Sequence, residues 1–146
     1  MRALLQRVDR AAVHVEAQEV ARIGRGLLVF LGCIRGDGEE QAARLADRVA
    51  RYRVFPDEER KTNLDVQQAH GSVLVVPQFT LAADTRKGNR PSFSTALAPE
   101  QATGLVRAFV AQLREQGLVV AEGVFGAEML VELTNHGPAT YLLEVV

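Results

Sequence analysis

The sequence predicts an α+β domain with a mainly antiparallel, barrel-like sheet and two amphipathic helices. Three observations carry that expectation. Two segments have apolar residues at helical spacing, Ala42-Leu45-Ala46-Val49-Tyr52 and Ala102-Leu105-Val106-Phe109-Leu113. Runs of β-branched and apolar residues stand before, between and after them, so the order reads strands, helix, strand, helix, strands. With 146 residues, 47% of them hydrophobic, the chain can close one core without a metal or disulfide, and a single domain over 1–146 is expected.

The first strands come from the N-terminal segment. In Val13-His14-Val15 a polar residue alternates with valines, as on a strand with one wet face. A turn near Ala17-Gln18 and a second run to Ile23 suggest a hairpin. After the Gly24-Arg25-Gly26 turn, Gly26 to Gly32 is apolar on both faces, the pattern of a buried strand. Asp37 and Glu40 have the spacing of a capping box and open the first helix. Its Arg44, Arg48 and Arg51 fall opposite the apolar stripe, and Pro56 to Lys61 is a polar loop.

His70-Gly71 turns into Ser72-Val73-Leu74-Val75-Val76, a strongly β segment. Pro77 has no N–H for a ladder, so regular pairing should stop there or lie at an edge. A long polar loop follows, from Asp84 to Ser94. Pro99 suits the first position of the second helix and Gly117 its C-terminal cap. Leu118 to Glu122, Met129 to Thr134 and Ala139 to Val146 are three closing strands. Asn135-His136-Gly137-Pro138 is expected to connect the last two as a turn.

Several chemistries are excluded. Cys33 is the one cysteine, so there is no internal disulfide and no multi-cysteine zinc site, and in an apolar run it reads as a structural thiol. His14, His70 and His136 stand apart without ligand spacing, so neither a metal nor a cofactor is expected. There is no phosphate-binding Gly-x-x-x-x-Gly-Lys loop, and Gly24-x-Gly26 lacks the third glycine of a dinucleotide site. The longest apolar run, Leu27 to Ile34, is too short to cross a membrane. Arg7 comes too early for an export signal, so a cytoplasmic protein is expected. The net charge of −1 argues against binding DNA by bulk charge. Residues 1–90 carry 15 Lys and Arg against 12 Asp and Glu, and residues 91–146 carry 2 against 6. An anionic partner should therefore meet the first part.

Two segments remain. Pro77-Gln78-Phe79-Thr80-Leu81 is where a strand breaks into a loop. Such a break frees main-chain N–H groups, which can receive an oxyanion or polarise an ester carbonyl; it is also what an ordinary strand end looks like. Gly137-Pro138 allows close backbone approach, but taken alone it reads as a simple turn between two strands.

Together these segments and others resemble the D-aminoacyl-tRNA deacylase family over nearly the whole chain. The opening Met1-Arg2-Ala3-Leu4-Leu5-Gln6-Arg7-Val8 is similar to that family's first strand, and Asn63-Leu64-Asp65-Val66-Gln67-Gln68 to its middle loop. Pro77 to Leu81 matches its Ser-Gln-Phe-Thr-Leu motif at four of five positions, and Ala82 to Phe93 the loop that follows. Gly123-Val124-Phe125-Gly126-Ala127-Glu128-Met129 and Asn135-His136-Gly137-Pro138-Ala139-Thr140 resemble two further family segments, the latter with Ala139 where the family has Val. Pro77 departs from the usual Ser, which removes a hydroxyl and an N–H.

The resemblance implies an enzyme that hydrolyses the ester of D-aminoacyl-tRNA, and also glycyl-tRNA(Ala). It implies catalysis by main-chain groups at Gln78, Phe79 and Thr80 with help from the RNA 2′-hydroxyl, and no cofactor. It implies a homodimer in which Gly137 and Pro138, as a Gly-cisPro motif, enter the partner's site. There a wall of carbonyls would reject every L-residue by steric clash. Arg7 and Gln78 are expected to hold the motif in place, with an ion pair to Asp9 or another carboxylate as the alternative for Arg7. Arg86, Lys87 and Arg90 are candidates for the phosphates of the tRNA acceptor end, and Phe125 and Met129 for its terminal adenine. Two other readings stay open: Thr80 as a nucleophile activated by a base such as His136, and a non-catalytic module that binds tRNA ends.

Overall fold

The computed structural model describes residues 1–146 and has the expected α+β architecture. Its elements are β1 (Arg2–Val15), β2 (Gln18–Ile23), β3 (Gly26–Gly32), α1 (Glu39–Arg51), β4 (Phe55–Pro56), β5 (Thr62–Leu64), β6 (Ser72–Pro77), a 3-10 turn (Phe79–Ala82), α2 (Pro99–Glu115), β7 (Val120–Glu122) and β8 (Leu130–Glu144). The main sheet runs β2-β1-β3-β6-β7, with β8 along the other side of β1. It curls until β2 packs across the interior against β6 and β7, which gives the barrel-like core.

Alternation along the strands explains why both faces are buried. Ala3, Leu5, Leu27, Val29, Leu31, Val73 and Val75 face α1 and α2 in the larger core cluster. Their neighbours Leu28, Leu74 and Val76 join Val8, Val13 and Ile23 inside the curl. The two helices bury the stripes read from the sequence, Ala42, Leu45, Ala46 and Val49 in α1 and Ala102, Leu105, Val106, Phe109 and Leu113 in α2.

Three details differ from expectation. The sheet is mixed: β1 pairs antiparallel with β2, β3 and β8, but β3-β6 and β6-β7 are parallel. The helices are the crossovers of this parallel unit, which lies inside an antiparallel frame. The cap of α1 is shifted by one residue. Gly38 is the N-cap and its N–H donates to Gln41 Oε1 (2.8 Å). Asp37 instead accepts from the Ile34 N–H (2.6 Å) and from the Met1 ammonium (2.8 Å).

The third difference is at Asn135–Pro138, which does not end a strand. β8 runs through it, and pairing with β1 jumps from Gln6↔Thr140 to Val8↔Asn135. Residues 136–139 bulge out of the ladder opposite Arg7 because β8 carries extra residues there. The Gly137–Pro138 peptide in this bulge is cis. No helix is long and apolar enough to cross a membrane.

Candidate active site

The parallel strands β3, β6 and β7 all end at one side of the sheet, and beyond their carboxyl ends lies an apolar pocket of about 420 Å³. That is where parallel sheets with crossover helices place ligand sites. Leu31 and Cys33 lie at the end of β3 and just past it, Pro77, Gln78 and Phe79 at the end of β6 and just past it, and Phe125 and Gly126 follow β7. Ala102 and Val106 of α2 close the floor. Burial pushes the Cys33 thiol up to about 11, so it is a protonated wall group rather than a nucleophile.

Pro77 ends β6 as expected. The Gln78 N–H still donates to Leu31 O (2.8 Å), and the chain then folds into the 3-10 turn. Leu81 N–H donates to Gln78 O and Ala83 N–H to Thr80 O, both 3.1 Å. Phe79 and Thr80 occupy the first positions of this turn, where N–H groups have no partner within it. The Phe79 side chain is 57% exposed and packs against Phe93, with ring centroids 5.1 Å apart. The Thr80 hydroxyl accepts from Gln78 Nε2 at 2.5 Å. Thr80 thus faces an amide, not a base. His136 lies outside the pocket, with its Nδ1 3.8 Å from Asp9 Oδ1.

Arg7 is the one buried charged residue, 8% exposed. Its Nη1 donates to Val54 O (2.6 Å) and its Nε to His136 O (3.2 Å), the carbonyl just before Gly137. Asn135 Nδ2 donates to the carbonyls of Arg7 (3.0 Å) and Ala139 (3.3 Å), which ties the bulge at both ends. The guanidinium therefore sits on carbonyls, not on Asp9.

Within one subunit the turn and the bulge do not meet. Arg7 pairs with Leu27, and Leu27 with Val73, so Pro77 lies four residues, about 13 Å, farther along β6. The bulge is three strands from β6, about 14 Å across the sheet. None of residues 136–138 lines the pocket.

The remaining candidates separate. Phe125 is a pocket wall. Met129 is not; its sulfur receives the Val124 N–H (3.4 Å) and it packs on the inner core, behind the segment that carries Phe125. The basic loop is closed at its base by paired Asp84 and Ser92 main-chain bonds (2.7 and 3.0 Å). Arg86 binds Asp84 through Nε (2.8 Å) and Nη2 (2.7 Å), and this holds the Asp84 carboxyl well below the usual carboxylate range. Lys87 and Arg90 are exposed. Sequence reasoning missed Phe93 and the α2 floor, because their roles depend on the crossover that brings α2 over the turn.

Fold and pocket define an α+β domain that holds a main-chain donor pair beside an apolar cleft. The chain matches the D-Tyr-tRNA(Tyr) deacylase family over residues 4–144. It is 55% identical over 145 residues to a D-aminoacyl-tRNA deacylase of Yersinia pestis (strain Pestoides F), covering 99% of this chain and 100% of that one. The same figures hold for that of Yersinia pseudotuberculosis serotype O:1b (strain IP 31758). Among solved structures, one described as a c-Myc DNA unwinding element binding protein superposes with a TM-score of 0.95 at 38% identity, covering 100% of this chain and 99% of that one. Another, described as a probable eukaryotic D-amino acid tRNA deacylase, gives 0.81 at 20% identity over 99% and 98% of the two chains, and shares the fold. The chain belongs to the D-Tyr-tRNA(Tyr) deacylase family, a family of hydrolases.

Proposed function

We propose that the protein hydrolyses the ester joining a D-amino acid to the 3′-terminal adenosine of tRNA. The observation that carries this reading is the 3-10 turn, whose Phe79 and Thr80 N–H groups stand outside its own hydrogen bonds beside an apolar pocket. Two such donors can receive the oxygen of an ester carbonyl as it takes on negative charge. Water adds to the carbonyl carbon, the bond to the ribose oxygen breaks, and that oxygen takes the proton. The RNA 2′-hydroxyl, adjacent to the ester, is the group best placed to help orient the water. Family membership supports the substrate.

Chirality is the harder problem, since an L-ester carries the same charges and the same RNA. Rejection must be steric and independent of the side chain. Gly137 and Pro138 of the partner subunit supply the wall in this reading, and Arg7 steadies them. Their separation from the pocket within one subunit favours a composite site in a homodimer. So does β8, a long edge strand with Leu130 73% and Leu142 53% exposed, which a second copy would cover. Glycine has no side chain to clash, so glycyl-tRNA(Ala) is the expected second substrate. Lys87 and Arg90 meet acceptor-end phosphates, and Phe125 the terminal adenine. One solved relative is described as binding DNA, but a net charge of −1 gives this chain no bulk attraction for duplex phosphate.

The test is deacylation of matched D- and L-tyrosyl-tRNA. The D-ester should be cleaved and the L-ester spared. Equal cleavage of both, or tight binding without turnover, contradicts the reading.

A further inference from the structure

We propose that Arg2 is a positioning residue for the catalytic turn, acting through the Leu81 carbonyl, with Gly32 and Thr95 completing the seat. The proposal rests on the deacylase reading of that turn. A 3-10 turn of four residues satisfies few of its own groups, and the carbonyls at its end need partners from elsewhere. Both come from side chains distant in sequence. Arg2 Nη1 donates to Leu81 O at 2.8 Å, and the Thr95 hydroxyl donates to Ala82 O.

Arg2 is itself fixed. Its Nε lies 2.6 Å from Glu144 Oε1 at the end of β8, so one guanidinium spans from that strand to the turn. The Nε contact with Glu144 is an ion pair without a hydrogen bond, so the one hydrogen bond the Arg2 side chain makes is the one to the turn. Gly32 sets the seat from below. A Cβ there would fall 2.8 Å from Leu81 Cβ and 3.1 Å from Gln78 O, so the turn rests directly on the β3 backbone. The first residues of the turn carry the proposed oxyanion donors, and these three residues hold its other end and its underside. If they are loosened, the Phe79 and Thr80 N–H groups shift relative to a bound ester while the pocket walls from β3, α2 and Phe125 stay.

The experiment measures kcat and KM on D-tyrosyl-tRNA, with thermal melting, for Arg2→Met, Arg2→Lys and Thr95→Val. A donor displaced by about 1 Å lowers turnover by up to roughly 100-fold. Arg2→Met should therefore lose about 10- to 100-fold in kcat with KM near wild type, and Arg2→Lys should recover part of it. Unchanged kcat in Arg2→Met overturns the proposal, as does a joint loss of kcat, KM and melting temperature that lysine does not relieve. Should Arg2→Met fail to fold, Thr95→Val carries the same kcat-against-KM test. Amide hydrogen exchange separates this proposal from the deacylase reading. A wild type without D-esterase activity contradicts that reading alone, whereas faster exchange across residues 79–82 in Arg2→Met still upholds the seat, and unchanged exchange overturns it.

Discussion

The 3-10 turn after β6 and the bulge in β8 are held in opposite ways. The turn shows the Phe79 and Thr80 side chains to solvent, and its proposed chemistry lies in main-chain N–H groups. The bulge offers main-chain carbonyls, but its position depends on one buried side chain, Arg7. Side-chain identity should therefore matter little within the turn and a great deal beneath the bulge. This accounts for Pro77 where the resembling motif has Ser: neither a hydroxyl nor an N–H at that position enters the proposed chemistry.

The largest effect is expected at Arg7. Arg7→Ala leaves the carbonyls of Val54 and His136 without their donor and should cost about 3 kcal/mol in denaturant unfolding. Chiral selectivity should fall with it, and Arg7→Lys should restore little, since one ammonium replaces a fork with two carbonyl partners. A fully active Arg7→Ala protein of normal stability would erase the contrast between the two segments.

Gly137→Ala separates folding from function at the bulge. The added Cβ would meet nothing closer than Asn135 Oδ1 at 3.5 Å, so unfolding free energy should change by less than about 0.5 kcal/mol. Activity should nevertheless fall, because the methyl group would enter the partner's site. Unchanged rate and selectivity would remove the bulge from the mechanism.

Smaller effects are expected in the turn. Thr80→Ala should lose less than the roughly 10²-fold that an essential oxyanion donor costs, and Pro77→Ser should be milder still. A greater loss in a folded Thr80→Ala protein would make its hydroxyl the nucleophile.

The smallest effects belong to the basic loop. Lys87→Ala and Arg90→Ala should each reduce the salt slope of tRNA binding by about 0.7. Arg86→Ala should do less, since its guanidinium is committed to Asp84. The Asp84 carboxyl is depressed, so this tie is complete above the usual carboxylate range and is lost only as pH falls through its own low value. The ranking of the three variants should hold from about pH 5 to 8.

Much of this was legible in the sequence where the signal is local. Pro99 opened α2, and Gly117, at a φ of +89°, closed it. The bounds of β3 followed from Gly26 and Gly32. What was missed is non-local. The sheet is mainly antiparallel as expected, and the strand–helix–strand–helix–strand order already held the signal for the parallel β3-β6-β7 unit within it, which was not read. Asn135–Pro138 has turn chemistry, yet pairing with the 14-residue β1 carries β8 past it. The Arg2–Leu81 bond spans 79 positions and leaves no local trace.

Subunit complementation tests the composite site most directly. One variant damages only the turn, Gly32→Val, whose side chain would collide with Leu81 and Gln78. The other damages only the bulge, Gly137→Val. Each alone should be nearly inactive. In a mixed dimer one site takes its turn from the second variant and its bulge from the first, and both are intact. After subunit exchange at equal concentrations, about a quarter of wild-type D-tyrosyl-tRNA deacylation should return, since half the dimers are mixed and each has one sound site of two. If the mixture is no more active than its components, turn and bulge do not form one site across two subunits.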